Sequence, residues 1–310
     1  MTATYETVVE PTVQITFTEE LEPEHHSAVE RSIQGMAAHA AQQTDRVRAA
    51  EAEHAKLAAA LNAPLARLVE SDPASAEALQ ELRTRPLPLE LDSVGVLHPE
   101  DTSAAAEEAT LSVRNIQTHV WGPPYHFSWF WHRTNGSPPF NRVIDRPTGQ
   151  VGLDGRSGSP GAIPGGASTF VEAHAGFGLL FHPPANGVLV GDSLRRVHDS
   201  FAVAAYGIGS NATVEGGTEC TILEDGQFRQ GATHRLYRKR VSVNESDHAT
   251  TPGFFTDSPM SIQWPVKAGH EYTFNVGVWV YCDHTAGVGR SAAQSLCQAI
   301  IPTMTTTVPM

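Results

Sequence analysis

Three of the five tryptophans fall in one run, Trp121-Gly-Pro-Pro-Tyr125-His-Phe127-Ser-Trp129-Phe130-Trp131-His132. Read as a strand, the run puts Phe127, Trp129 and Trp131 on one face and His126, Ser128, Phe130 and His132 on the other. Exposed, a flat row of indoles would stack on sugar rings or enter a membrane interface. Buried, the same row anchors a core, because each aromatic brings about 150–250 Å² of surface. The core role is the primary expectation. Trp129 and Trp131, with Arg156, are retained as a candidate ligand or partner surface.

Fifteen histidines invite a metal reading. The closest groupings are His126 with His132, Glu172 with His174 and His182, and Cys282-Asp283-His284. A metal site built on strands needs ligands at alternating positions and at least one more from elsewhere. Glu172-x-His174 places two side chains on one face, but no HxH, HExxH or CxxC spacing occurs. No metal and no cofactor is therefore expected; convergence of Glu172, His174 and His182 would instead indicate a metal-dependent β-barrel enzyme. Gly207-Ile-Gly209-Ser210 lacks the strand–turn–helix setting of a nucleophile elbow. The glycine-rich stretch 149–166 has no GKS or GKT and no helix after it, so it does not match a phosphate loop. No catalytic residue is assigned, and the chain reads as non-enzymatic.

The elements that must position these groups fall into two regimes. From about residue 111 apolar residues recur with period two, and turn signals such as Pro123-Pro124, Asn186-Gly187, Asp225-Gly226 and Ala268-Gly269 separate the runs. Candidate strands include 112–120, 125–132, 169–173, 178–181, 187–190, 200–208, 233–243 and 295–308. The clearest is 270–283, with Tyr272, Phe274, Val276, Val278, Val280 and Cys282 on one face as core. Many short strands indicate a β-sandwich or jelly roll over 111–310. The segment 154–167, rich in Gly and Pro, reads as an irregular loop. The basic cluster Arg235, Arg238, Lys239 and Arg240 reads as edge-strand protection or as a contact for the acidic helices of a neighbouring subunit.

Before residue 110 the pattern is helical. Val29, Ile33, Met36, Ala40, Gln43, Val47, Ala50, His54, Leu57 and Leu61 alternate spacings of four and three, a narrow seam suited to helix pairing. The spacing predicts a long helix over 24–61, broken at Asn62 and Pro64 and restarted to about Val69. Asp72-Pro73 opens another helix as cap and first position, which ends before Pro86. Pro86-Leu-Pro88 forms an extended connector, and a last short helix covers 102–109. Residues 1–22 form a β-prone arm, with Val13, Ile15 and Phe17 on one face. The fold class is thus α+β: a heptad-patterned helical region, 23–110, followed by an all-β sandwich or jelly roll. Ile33, Met36, Val47, Leu57 and Leu61 are the expected oligomer seam, used between chains, in a bundle, or against the β body.

The net charge of −13 sits in the helical part: residues 1–110 carry 20 acidic and 7 basic side chains, and the remainder is balanced. Without a basic footprint, nucleic-acid binding is not expected. No apolar run is long enough for a transmembrane helix. The opening residues carry no signal-peptide pattern, and three cysteines read as reduced thiols. The expected location is cytoplasmic, or outside the cell by export without a signal peptide. Heavy alanine, and arginine far in excess of lysine, match the coding bias of a bacterium with a GC-rich genome. These features point to a structural or binding protein that assembles through its helices, as a homo-oligomer or with another protein. The alternatives are an effector or lectin-like module taking a glycan or membrane, and the metal-dependent enzyme noted above.

Overall fold

The computed structural model describes residues 9–84, 109–113, 116–135, 140–158, 168–285 and 287–309. The connector at 86–88, most of the helix expected over 102–109, and the glycine-rich loop beyond residue 158 lie outside these. Period-two patterning yields two antiparallel sheets. The first has six strands: β1 (Thr12–Phe17), β4 (Phe127–Asn135), β7 (Ser168–Phe181), β14 (Tyr272–Thr285), β9 (Asn211–Glu224) and β10 (Gln227–Ser242), adjacent in that order. The second is built on two long paired strands, β8 (Gly187–Ile208) and β15 (Val288–Pro309). To β15 are added the hairpin β2 (Ala109–Val113) and β3 (Ile116–Trp121), and the pair β5 (Phe140–Asp145) and β6 (Gln150–Gly158). Strands β11 (Glu245–Thr250), β12 (Phe255–Thr256) and β13 (Met260–Val266) line the other side of β8.

One apolar cluster joins the inner faces of the two sheets. It combines Phe274, Val276, Val278 and Val280 of β14 with Leu189 and Val197 of β8, Val151 and Leu153 of β6, and Ile301 of β15. The even-numbered face of β14 is fully buried, as its pattern predicts. Burial at this scale is worth roughly 2–5 kcal/mol per large side chain when truncated.

Several expected boundaries are corrected. The stretch 112–120 is not one strand but the β2–β3 hairpin. Residues 154–158 are not loop; they continue β6 in register with β15. The expected strands 169–173 and 178–181 are one strand, β7, running through Gly176 and Gly178. These glycines make room rather than turns: a Cβ on Gly176 would lie 2.6 Å from the Trp129 ring, and one on Gly178 would overlap Phe127. The break at Asn62 and Pro64 is also absent. A single helix, α1 (His26–Ser71), carries Pro64 inside it, and α2 (Pro73–Thr84) follows. Asp72 caps α2 as expected, accepting from the Ser75 amide at 2.9 Å.

The first half of α1 lies on the outer face of the six-stranded sheet. Val29, Ile33, Met36 and Ala37 pack on Phe127, Trp129, Trp131, Leu180 and Leu223, with Val13, Ile15 and Phe17 of β1 at the side. At Gly35 the helix meets the tight Asp225-Gly226 turn between β9 and β10; any Cβ there would overlap the Gly226 carbonyl oxygen. No helix among the described residues is long and apolar enough to cross a membrane.

Candidate functional site

Strand register determines which side chains meet on the outer face. Trp131 of β4, His174 of β7 and Trp279 of β14 are direct cross-strand partners. The His174 imidazole is therefore held between two indoles, with ring centroids 3.9 Å from Trp131 and 6.3 Å from Trp279. In the next row Arg133, Glu172, Tyr281, Glu215 and Arg238 follow one another across five strands. Opposite charges in directly facing positions attract, and here an Arg faces a Glu at each end of the row, with Tyr281 between the two carboxylates.

The charges at the β4–β7 end of this face are buried. Glu172, His174 and Arg133 are almost inaccessible, and Glu219 nearly so. Buried ions persist only when paired and fully hydrogen-bonded, and this set is. His174 Nδ1 is 2.6 Å from Glu219 Oε1, and its Nε2 is 3.7 Å from Glu172 Oε1. The Arg133 guanidinium donates through Nε to Glu172, through Nη1 to Asp45 at 2.6 Å, and through Nη2 to the Ala41 carbonyl at 2.9 Å. Thr44 donates to Glu172 at 2.6 Å. Residues 41, 44 and 45 thus form a polar lock on α1, directly after its apolar stripe.

The lock fixes protonation states. Burial alone would lower the His174 pKa, but the Glu219 and Glu172 carboxylates outweigh it and hold the ring up to about 9. Burial would raise that of Glu172, yet its bonds to His174, Arg133 and Thr44 bring it below the ordinary carboxylate value. At neutral pH the floor is an imidazolium among carboxylates.

Beside the lock, between α1 and strands β9, β10 and β14, lies a cleft of about 470 Å³. Met36, Ala40, Val47 and Phe228 supply apolar walls, and His174, Glu219 and Trp279 line its polar side. The Trp279 Nε1–H is buried and has no partner among the described residues. At the β10 side, Arg235 and Arg238 both reach the single Glu215 carboxylate, at 3.0 and 3.1 Å, while remaining about half exposed. Two guanidinium groups thus share one carboxylate at the rim of the cleft.

Comparisons with known proteins identify no family. No family model matches the chain, and no curated protein matches it. Among solved structures, a chain from a study titled "Crystal structure of the T13 IBDV viral particle reveals a missing link in icosahedral viruses evolution" aligns at 7 % identity. The alignment covers 59 % of this chain and 40 % of that one, with a TM-score of 0.13, and carries no argument about fold or function.

The residues singled out from sequence are distributed as follows. Trp129 and Trp131 are buried beneath α1 and offer no stacking platform there. Arg156 lies in β6, 39 % exposed, 3.3 Å from Asp154. Ile33 and Met36 are buried against the sheet, whereas Val47 is 54 % exposed; the side chains of Leu57 and Leu61 lie outside the described part. Glu172 and His174 do meet, but His182 follows the end of β7, eight residues along an extended chain and so about 26 Å from His174. In Cys282-Asp283-His284 the ligand types diverge: Cys282 faces the core toward the Gly155 carbonyl, and His284 bonds Ser291 and Thr169. Strand β10, with the basic cluster, is the edge of its sheet. Arg133, Glu219 and Trp279 were not anticipated. Trp279 and Glu219 lie on strands read from the sequence, but their meeting with His174 depends on cross-strand register, and Arg133 lies just past the end expected for its strand.

Proposed function

We propose that this chain is a non-enzymatic binding protein, a β-sandwich of jelly-roll type whose N-terminal helix roofs a ligand cleft. The ligand is a small organic anion with an apolar body. The cleft between α1 and the outer sheet face carries this reading. It combines apolar walls from Met36, Ala40, Val47 and Phe228 with the half-exposed guanidinium groups of Arg235 and Arg238 at its rim. Such mixtures, mainly apolar with a few fixed polar groups, characterise small-molecule sites. A non-catalytic role is supported by His174: protonated at neutral pH and aimed at two carboxylates, it is a fixed charge rather than a base.

The test uses 1-anilinonaphthalene-8-sulfonate, an aromatic anion, as the probe. Saturable one-site fluorescence is expected. It should be lost on Thr233→Trp, which fills the cleft from an exposed position, and weakened about tenfold by Arg235→Ala with Arg238→Ala. Binding that ignores Thr233→Trp would place the probe elsewhere and end this reading.

Assembly is the second reading, narrowed to the distal part of α1. Val47 and Leu68 are 54 % and 67 % exposed, and Leu68 continues the seam one heptad beyond Leu61. Val47→Asp with Leu68→Asp should lower the mass found by light scattering; an unchanged mass counts against helix-mediated assembly.

A further inference from the structure

At the other end of the helix–sheet junction, three distant parts of the chain bring together two imidazoles and a carboxylate. His25 closes the short 3-10 turn Pro23–His25 that leads into α1. His182 follows the last residue of β7, and Glu271 precedes the first of β14. One ligand atom from each lies within 4.8 Å of those from the other two.

We propose that His25, His182 and Glu271 form a zinc site that clips the head of α1 to the sheet. Zinc bonds of about 2.0–2.2 Å to nitrogen and oxygen, at tetrahedral angles, put neighbouring ligand atoms about 3.4 Å apart. His182 Nε2 and Glu271 Oε1 are 3.5 Å apart, long for a hydrogen bond and close to that edge. The His25 and His182 rings are 5.1 Å apart between centroids, so both can turn a nitrogen toward one point. Neither ring makes a hydrogen bond shorter than 3.5 Å among the described residues. Both are therefore available as ligands. Glu271 divides its work: Oε2 faces Arg31 at 3.6 Å, which leaves Oε1 for the metal. Two histidines and one glutamate are a borderline-soft set that suits Zn²⁺. Glu24, whose carboxylate is 3.8 Å from His25 Nε2, or water would complete the coordination.

A similar grouping nearby, Glu224, Asp225 and His270, does not qualify equally. His270 is bonded to Asp225 at 2.6 Å, Asp225 also accepts from the Glu271 amide, and Glu224 accepts from the Tyr272 hydroxyl. Its ligand atoms are already committed.

The proposed ligands converge only while α1 lies on the sheet. Zinc therefore favours the docked helix by mass action. The carboxylates of Glu24 and Glu271 offset the unfavourable placing of a cation at a helix N-terminus.

The test is a titration of the full chain, stripped with chelator and dialysed, with Zn²⁺ in competition with a chromophoric indicator, and with Co²⁺ as a spectroscopic reporter. One equivalent is expected, with the visible absorption of tetrahedral Co²⁺ and a higher melting temperature in the presence of Zn²⁺. His182→Ala, at a 43 % exposed position, should weaken binding at least tenfold while the metal-free melting temperature changes little, and Glu271→Gln likewise; His270→Ala should leave binding unchanged. No stoichiometric binding, or binding indifferent to His182→Ala, overturns the proposal. Loss on His270→Ala with retention in His182→Ala would assign the ion to the other cluster and equally overturn it.

Discussion

The charge on His174 makes the stability of this protein depend on alkaline pH in a defined way. The ring titrates at about 9 when folded against an ordinary value of 6.5. That difference is worth about 3 kcal/mol of folding free energy. Because the folded value is the higher, the contribution is complete below pH 6.5. It declines as pH rises from there and is gone above about 9. Replacing His174 with Gln removes the cation and leaves Glu219 and Glu172 short of a partner, a loss of about 3–5 kcal/mol where the pair is charged. The measurement is urea unfolding of wild type and His174→Gln at a series of pH values from 6 to 10, taking the difference at each. Titrations shared by the two proteins cancel in that difference. It should be large at pH 6 and smaller by about 3 kcal/mol at pH 10. A difference constant across this range would show that His174 is neutral in the folded protein, and the imidazolium floor of the cleft would fall with it.

Two further outcomes follow from packing. Gly35→Ala drives a methyl into the Gly226 carbonyl and must lift α1 off the β9–β10 turn, costing about 1–3 kcal/mol in urea unfolding; a neutral substitution would mean the helix does not rest there. Phe274→Ala should cost about 3–5 kcal/mol. Asn275→Ala, on the other face but also buried and donating to Thr221 and Thr273, should cost about 1 kcal/mol; equal losses would contradict the assignment of the core to the even-numbered face.

Local patterning in the sequence carried the two regimes of the chain. The period-two runs became strands, and the even face of β14 became core, because strand geometry sends alternate side chains to opposite sides whatever lies beyond them. The cap at Asp72 followed from local backbone chemistry alone. Glycine misled where its role was non-local: at 176 and 178 it yields space to Trp129 and Phe127 across the sheet, which no reading of the chain near β7 contains. Pro64 misled likewise, since it lies within α1 rather than ending it.

The candidate site was half visible. Glu172-x-His174 exposed the one pair that shares a strand, but its partners are cross-strand neighbours and helix residues fixed by register and docking. The seam of α1 had the right residues and no address. Ile33 and Met36 meet the outer sheet face, while Val47 does not, because the apolar patch that covers a helix ends where the sheet turns charged. Residue type and spacing determined which faces were apolar and which groups could carry charge. Only the tertiary structure decided what each face met, because pairing register and helix placement bring together residues that the chain keeps far apart.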